Sequence, residues 1–150
     1  MRALRALDLP PVWLAGFGAL AWAQSRFAPA GGLPDWAGTL GLALVAVGML
    51  LIAAAGLEFL RHRTTIVPYE TPRDLIDTGI YRLTRNPIYL GDAAILAGAI
   101  LLWGAWPSLI LVPVFMAIIA RRFIRWEEAR LRETFGDRAA AYMRRVRRWI

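Results

Sequence analysis

The chain is expected to fold as an all-α integral membrane bundle, and three observations lead there. Hydrophobic residues make up 58% of its 150 residues, above the roughly 45–50% of soluble domains. The excess sits in blocks: Trp36 to Leu57 and Ala93 to Ala120 hold no charged residue. An uncharged run of about 18 residues is long enough to cross a bilayer core as a helix. The basic residues, all of them arginine, crowd the ends of these blocks. Together these predict a single domain, 1–150, with about four transmembrane helices and a C-terminal amphipathic helix on the cytoplasmic side.

The first block, about 12–27, is short and ends in Gln24, Ser25 and Arg26. Arg2 and Arg5 ahead of it, with Ala21-Trp22-Ala23 behind, imitate a cleavable leader. Asp8, Pro10 and Pro11 interrupt the approach to the apolar stretch and favour a retained span instead. The second block, 36–59, is the clearest span. Its Gly38, Gly41 and Gly48, and the Ala53 to Gly56 run, offer small surfaces for close helix approach. The stretch from Pro87 to Ile124 would be about 57 Å long as one helix, against a bilayer core of roughly 30 Å. Trp103-Gly104-Ala105-Trp106-Pro107 near its middle combines turn residues with interfacial tryptophans. The spacing predicts a helical hairpin, about 87–103 and 107–124.

Orientation follows from the arginines. With four spans and an inner N-terminus, Arg2, Arg5, the five from Arg61 to Arg85 and the ten from Arg121 onward lie inside; only Arg26 lies outside. This is the positive-inside pattern, and it places both termini in the cytoplasm of a multi-pass protein of a bacterial inner membrane. Two inner segments remain. The loop 61–86 is polar and longer than most connections, which marks it as functional. The tail 125–150 has helical periodicity with a break at Phe135-Gly136. Its last part puts Ala139, Tyr142, Val146 and Trp149 on one face and arginines around the other, the pattern of a helix lying on the membrane.

Several function classes are excluded. There is no cysteine, which closes disulfide, thiolate and zinc-thiolate chemistry. The one histidine, His62, cannot form a metal site alone and is expected in a solvated interfacial position. No metal is expected. A net charge of +7 invites a nucleic-acid reading, but the arginines sit where anionic lipid headgroups would be, so membrane lipids are the expected partners and nucleic acid is not. Gly16-Phe17-Gly18-Ala19-Leu20-Ala21 matches a dinucleotide fingerprint, yet no strand precedes it and it lies within a span.

Two clusters carry possible chemistry. Gly79 to Gly91, GIYRLTRNPIYLG, leads into the third span. Pro87 suits the first turn of a helix, and the free N–H groups behind it make a partly positive end that can hold a carboxylate, with Arg85 and the Asn86 amide beside it. Tyr81 and Tyr89 add aromatic faces with polar tips. The alternative at this point is an interfacial anchor with a helix cap. The second cluster, Arg125 to Leu131, holds Glu127 and Glu128. Neighbouring helix positions point about 100° apart, so at most one of the two glutamates is expected to face inward. An inward carboxylate near the membrane needs a partner, which a cationic ligand can supply.

In this order, around a hairpin, the two clusters resemble the isoprenylcysteine carboxyl methyltransferase and phospholipid methyltransferase superfamily. The resemblance runs from about Arg61 to Trp149. It comprises Thr65-Ile66-Val67-Pro68, Leu75 to Tyr81, Arg85 to Gly91, Glu127-Glu128 with Leu131, Phe135-Gly136, and Tyr142 to Trp149. It implies a membrane enzyme transferring a methyl group from S-adenosylmethionine to a lipid-like or small hydrophobic acceptor. By the same resemblance, Leu75, Ile76 and Tyr81 would line the cofactor pocket. Arg85, Asn86, Pro87, Ile88 and Tyr89 would hold the cofactor from the helix start, and Glu127 its polar end. Arg125, or Arg122 in another registration, would bind the acceptor, which makes Asn86, Arg125 and Glu127 the candidate catalytic residues. The chain departs from the best-known members in having Asn86 where they have histidine, and Ala139 where tyrosine is usual. Asparagine cannot shuttle a proton near neutral pH, which puts a general base at that position in doubt. The competing expectations are a non-enzymatic membrane protein using the same residues as anchors, and a nicotinamide-dependent membrane reductase of related architecture.

Overall fold

The computed structural model describes residues 8–63 and 74–150. Arg2 and Arg5 and the Thr65 to Pro68 motif lie outside the described residues. Among the described residues there are helices and turns and no strand. Helix α1 spans Pro10–Phe27, α2 Trp36–Arg61, α3 Pro87–Leu102, α4 Leu111–Ile119 and α5 Arg125–Arg145. Pro10 and Pro11 do not interrupt α1. They form its first turn, where a missing N–H costs nothing.

The apolar faces of the long helices are turned outward. The most apolar stretch of α2 has a mean hydropathy of 2.5 and is only 17% buried. Leu40, Leu42, Val47, Met49, Leu50 and Leu57 are all exposed. A soluble protein buries its most apolar helix, so this surface calls for lipid. The continuous helical path Trp106–Arg145 is the second stretch long and apolar enough to cross a membrane. The 16-residue α3 is shorter, and α1 is diluted by its prolines and the Gln24 to Arg26 end.

The third apolar stretch does fold into a hairpin. α3 ends at Leu102, Gly104 takes a positive φ of 67°, and a short 3-10 turn, Trp106–Ile110, leads into α4. A π-helical turn, Ala120–Ile124, then joins α4 to α5 without a break in the path.

Packing between α2 and α3 depends on two reciprocal glycine pairs. A Cβ on Gly48 would lie 2.6 Å from the Gly91 carbonyl oxygen, and one on Gly91 would lie 2.7 Å from that of Gly48. Gly41 and Gly98 repeat the arrangement at 2.9 and 2.5 Å. Backbones approach this closely only where side chains are absent. Gly38 and Gly56 have nothing near them, so of the small residues expected at interfaces these two face away. The main core forms where Tyr89, Ala93, Leu96 and Ile100 of α3 meet Phe17 and Ala21 of α1 and Phe115 and Ile119 of α4.

The helices run up and down, and one end collects the polar groups. Asp8 at the start of α1 accepts hydrogen bonds from Trp13 Nε1 (3.0 Å) and from Arg122 (2.8 Å) just after α4. At the opposite end, Ser108 donates to Gln24 (3.0 Å) and Trp106 Nε1 to the Gly31 carbonyl (3.2 Å). The antiparallel glycine pairs place the end of α2 beside the start of α3, at the same end as Asp8 and α5.

α5 differs from expectation. Gly136 breaks its helix with φ 52° and ψ −125°, at the expected place, but the helix stops at Arg145 and the last residues are not helical. Its apolar face does not rest on lipid: Ala139, Tyr142 and Val146 enclose Leu75, and Trp149 packs against the main core. Several of its arginines hold protein carboxylates, Arg138 with Asp74 (3.5 Å) and Arg145 with Asp77 (3.3 Å).

Candidate active site

The polar end is built on the segment 74–89, clasped between α2 and the C-terminal tail. On the α2 side, Glu58 is 4% exposed. It accepts from Arg61 (2.7 Å) and from the Thr78 hydroxyl (2.5 Å). The next residue, Gly79, has φ 52°, and a Cβ there would meet the Glu58 carboxyl at 2.5 Å. Glycine is therefore required twice over. His62 is not the solvated residue expected. It lies 2.7 Å from Asp74 through Nδ1 and 2.9 Å from Thr78 through Nε2. The Thr78 hydroxyl gives its one proton to Glu58, so Thr78 links the His62 ring to the Glu58 carboxylate. Burial pushes the Asp74 carboxyl up, but the hydrogen bond from His62 outweighs it and holds the group below its ordinary value.

On the tail side, the backbone N–H of Arg85 donates to the Arg147 carbonyl (3.0 Å). The Thr84 hydroxyl (3.1 Å) and the Asn86 amide (2.9 Å) both donate to the Arg148 carbonyl. Tyr142 donates to the Tyr81 carbonyl at 2.8 Å. The Asn86 side chain is thus spent on positioning the tail. It makes no capping bond to α3, although Asn86 is the cap residue. The first-turn N–H groups of Ile88 and Tyr89 keep the partly positive character of an uncapped helix start.

Glu127 and Glu128 are both drawn in, against the expectation that one at most would be. α5 begins as a wedge between α3 and the returning tail, so two positions 100° apart each meet protein. The Tyr89 hydroxyl donates to Glu127 at 2.7 Å. Glu128, 6% exposed, accepts a two-pronged contact from Arg148 (3.0 and 2.7 Å) and lies 3.3 Å from Arg85. Burial pushes the Glu127 carboxyl up, with the Tyr89 hydrogen bond opposing it only in part. Burial also acts on Glu128, but the Arg148 hydrogen bond and the charge of Arg85 prevail and lower it.

The remaining expected residues are distributed unevenly. Ile76, Tyr81 and Ile88 form one cluster with Ala55 and Phe59 of α2, Tyr81 meeting Phe59 edge to face at 6.0 Å. Pro87 is fully buried at the α3 start. Leu75, 1% exposed, is enclosed by the tail. Arg125 is exposed. Arg122, the other registration, holds Asp8 and lies over the Trp13 ring at 5.4 Å. An open recess of about 340 Å³ lined by Asp77, Thr78, Arg82 and Arg145 adjoins the cap, but none of the residues from Arg85 to Tyr89 lines it, nor does Glu127.

The phospholipid methyltransferase family pattern matches residues 36–138, which span α2, the clasped segment, the hairpin and the first part of α5. The chain belongs to the phospholipid methyltransferase family. With its outward apolar helices it is a membrane-associated member. No curated protein and no solved structure matches it.

Family membership makes the donor set of the polar end informative. Arg85 Nε is buried without a hydrogen-bond partner, a condition that costs free energy unless a ligand supplies the acceptor. Arg85 immediately precedes the uncapped start of α3, and Tyr89 in its first turn holds the half-buried Glu127 carboxylate. The same end of the molecule thus carries both donors suited to a carboxylate and an acceptor suited to ammonium or hydroxyl groups.

Sequence reasoning missed the Glu58–Thr78–His62–Asp74 chain, the tail-fixing role of Asn86 and Arg148, and Asp92. Asp92 had a signal: it is the one acidic residue between Pro87 and Ala120. Arg148 had none that set it apart from its neighbours.

Proposed function

We propose that this family member is an integral membrane methyltransferase that binds S-adenosylmethionine at the start of α3 and methylates a lipid-like or small hydrophobic acceptor. The family match over residues 36–138 carries this reading, and the donors and acceptors gathered by Arg85, Tyr89 and Glu127 support it. In this reading α1, α2, α3 and the continuous helical path about 107–124 that contains α4 cross the membrane as four spans, and both termini and the polar end lie in the cytoplasm, as the arginine distribution favours.

When bound, the cofactor supplies an electrophilic methyl group on a sulfonium. Arg85 and the α3 N-terminus hold its carboxylate end. Glu127, oriented by the Tyr89 hydroxyl, accepts from its ammonium or ribose hydroxyls. Asn86 acts as a positioning residue through the Arg148 carbonyl. Transfer is an in-line displacement, so alignment and charge arrangement provide most of what the protein can contribute. A site between headgroups and cytoplasm admits a soluble cofactor from one side and a lipophilic acceptor from the other.

Calorimetric titration of S-adenosylhomocysteine into the detergent-solubilised chain tests this. Binding is expected, and Glu127→Gln should weaken it by about 1–3 kcal/mol, the range for a charge-assisted hydrogen bond. An absence of heat and of any thermal shift, with Glu127→Gln indistinguishable from wild type, would remove the methyltransferase reading and leave the anchor alternative.

A further inference from the structure

The recess beside the cap gathers groups that the cofactor reading leaves unused. It holds about 340 Å³ and is lined by Asp77, Thr78, Arg82 and Arg145. Its two arginines come from distant parts of the chain: Arg82 closes the 3-10 turn Gly79–Arg82, and Arg145 is the last residue of α5. Arg145 lies 3.3 Å from Asp77 through one terminal nitrogen, and its side chain is 63% exposed, which leaves other N–H groups of its fork uncommitted. Arg82 is exposed, and among the described residues no hydrogen bond or ion pair reaches its guanidinium. Two guanidinium groups against one carboxylate give the recess a positive charge in excess. The Thr78 hydroxyl is engaged by Glu58 and His62, so the arginines supply the side-chain donors that remain. Apolar side chains stand exposed at this same end: Leu83, next to Arg82, is 69% exposed, and Leu57 and Leu60, on either side of Glu58 in α2, are 54% and 74% exposed.

We infer that this recess binds the phosphate group of an anionic, hydroxyl-bearing lipid headgroup, of which phosphatidylglycerol is the type, at a site separate from the start of α3. Arginine forks meet phosphate oxygens two at a time, and the single excess charge matches one phosphodiester. A zwitterionic headgroup brings an ammonium group of its own, which the two arginines repel. Asp77 is an acceptor for a headgroup hydroxyl. The volume is at the lower end of the roughly 300–1,000 Å³ of small-molecule sites, enough for a headgroup and too little for acyl chains. Those chains have Leu83, Leu57 and Leu60 to lie against, which favours a lipid over a free phosphate ester. Such a lipid has no amine to methylate, so it is a retained lipid and not the acceptor. A phosphate held by both Arg82 and Arg145 ties the clasped segment to the end of α5. The tail leaves α5 at that point on its way to Arg85 and Asn86, so the bound lipid steadies the tail.

The test uses the full chain, stripped of lipid in a nonionic detergent, and three probes: dioleoyl-phosphatidylglycerol, dioleoyl-phosphatidylcholine and soluble glycerophosphoglycerol. Binding is read as a rise in melting temperature and as bound mass in native mass spectrometry. Phosphatidylglycerol should bind and stabilise the wild-type chain, and phosphatidylcholine should not. Arg82→Gln changes an exposed side chain and should leave the melting temperature of the lipid-free chain unaltered. It should weaken phosphatidylglycerol binding by about fivefold or more, the scale of one arginine at an anionic membrane surface. Arg121→Gln removes the same charge from an exposed position outside the recess and should bind as wild type does. Phosphatidylglycerol should also slow carboxypeptidase digestion of the wild-type tail, and do so less for Arg82→Gln. Equal stabilisation by phosphatidylcholine, or equal weakening by Arg82→Gln and Arg121→Gln, overturns the inference, because a diffuse basic surface would then account for the binding. Glycerophosphoglycerol binding as tightly as the lipid overturns the assignment to a lipid. No readout involves the cofactor, so each of these failures leaves the methyltransferase reading where it stands.

Discussion

The seam between α2 and α3 and the polar cap over it hold the same helix by opposite means. Along the seam, four glycines bring two backbones into contact, and the stabilisation is dispersion between atoms that fit. In the cap, charged and hydrogen-bonding groups reach across from α2, α5 and the tail to a segment with little regular structure. Packing of the first kind is insensitive to salt and pH but tolerates almost no added volume. Contacts of the second kind accept changes of shape but depend on protonation. α3 is therefore fixed rigidly along its length and adjustably at its start.

Three substitutions separate the two regimes. The largest effect is expected in the seam. Gly91→Val puts a branched side chain where a single Cβ would already lie 2.7 Å from the Gly48 carbonyl oxygen and 2.8 Å from Ile52. It should destabilise the chain by about 1–3 kcal/mol or more, read as a fall in melting temperature that does not change between pH 5 and 8. A neutral result would mean that the seam can open, and the contrast drawn here would fail.

Glu128→Gln in the cap comes next. It removes the charged partner of Arg85 and Arg148, and with Arg148 one third exposed the cost should be about 1–2 kcal/mol. Because the Glu128 carboxyl is held below its ordinary value, its contribution is complete above the ordinary glutamate range of about 4.3 and is lost as pH falls through the lowered value. The wild-type tail should therefore become susceptible to carboxypeptidase only under acid conditions, and that of Glu128→Gln at neutral pH as well. Equal resistance of the two tails at pH 7 would show that backbone bonds to Arg147 and Arg148 suffice. The smallest effect belongs to the far end, where Ser108→Ala removes one part-buried hydrogen bond to Gln24. About 0.5–1 kcal/mol is expected, with no change in S-adenosylhomocysteine binding.

Much of this architecture was legible in the sequence. The hairpin at Trp103 to Pro107 followed from a run too long for one crossing, and the helix break at Gly136 from a glycine inside a periodic tail. Resemblance and the chemistry of a helix start singled out Arg85 to Tyr89 and Glu127, and the structure brings Tyr89 onto Glu127. The pairing of Gly41 with Gly98 and of Gly48 with Gly91 was not legible, because a glycine's partner depends on the register of two helices far apart in the chain. Nor were the two inward glutamates: angular spacing along one helix predicts one buried face, and only the arrival of the tail on a second side buries another.

The membrane class itself was set by composition. Uncharged runs of sufficient length and arginines at their ends have one inexpensive environment, whatever the tertiary detail, because hydrocarbon excludes charge and interfaces attract it. Tertiary structure decided what each polar residue does. The Asn86 amide fastens the tail through the Arg148 carbonyl; His62 was expected in water and instead bridges Asp74 and Thr78; Arg125 is exposed. Such assignments depend on which hydrogen-bonding groups meet when distant segments close on one another. Composition and periodicity carry the preference of a residue for water or lipid, but not the identity of its partner.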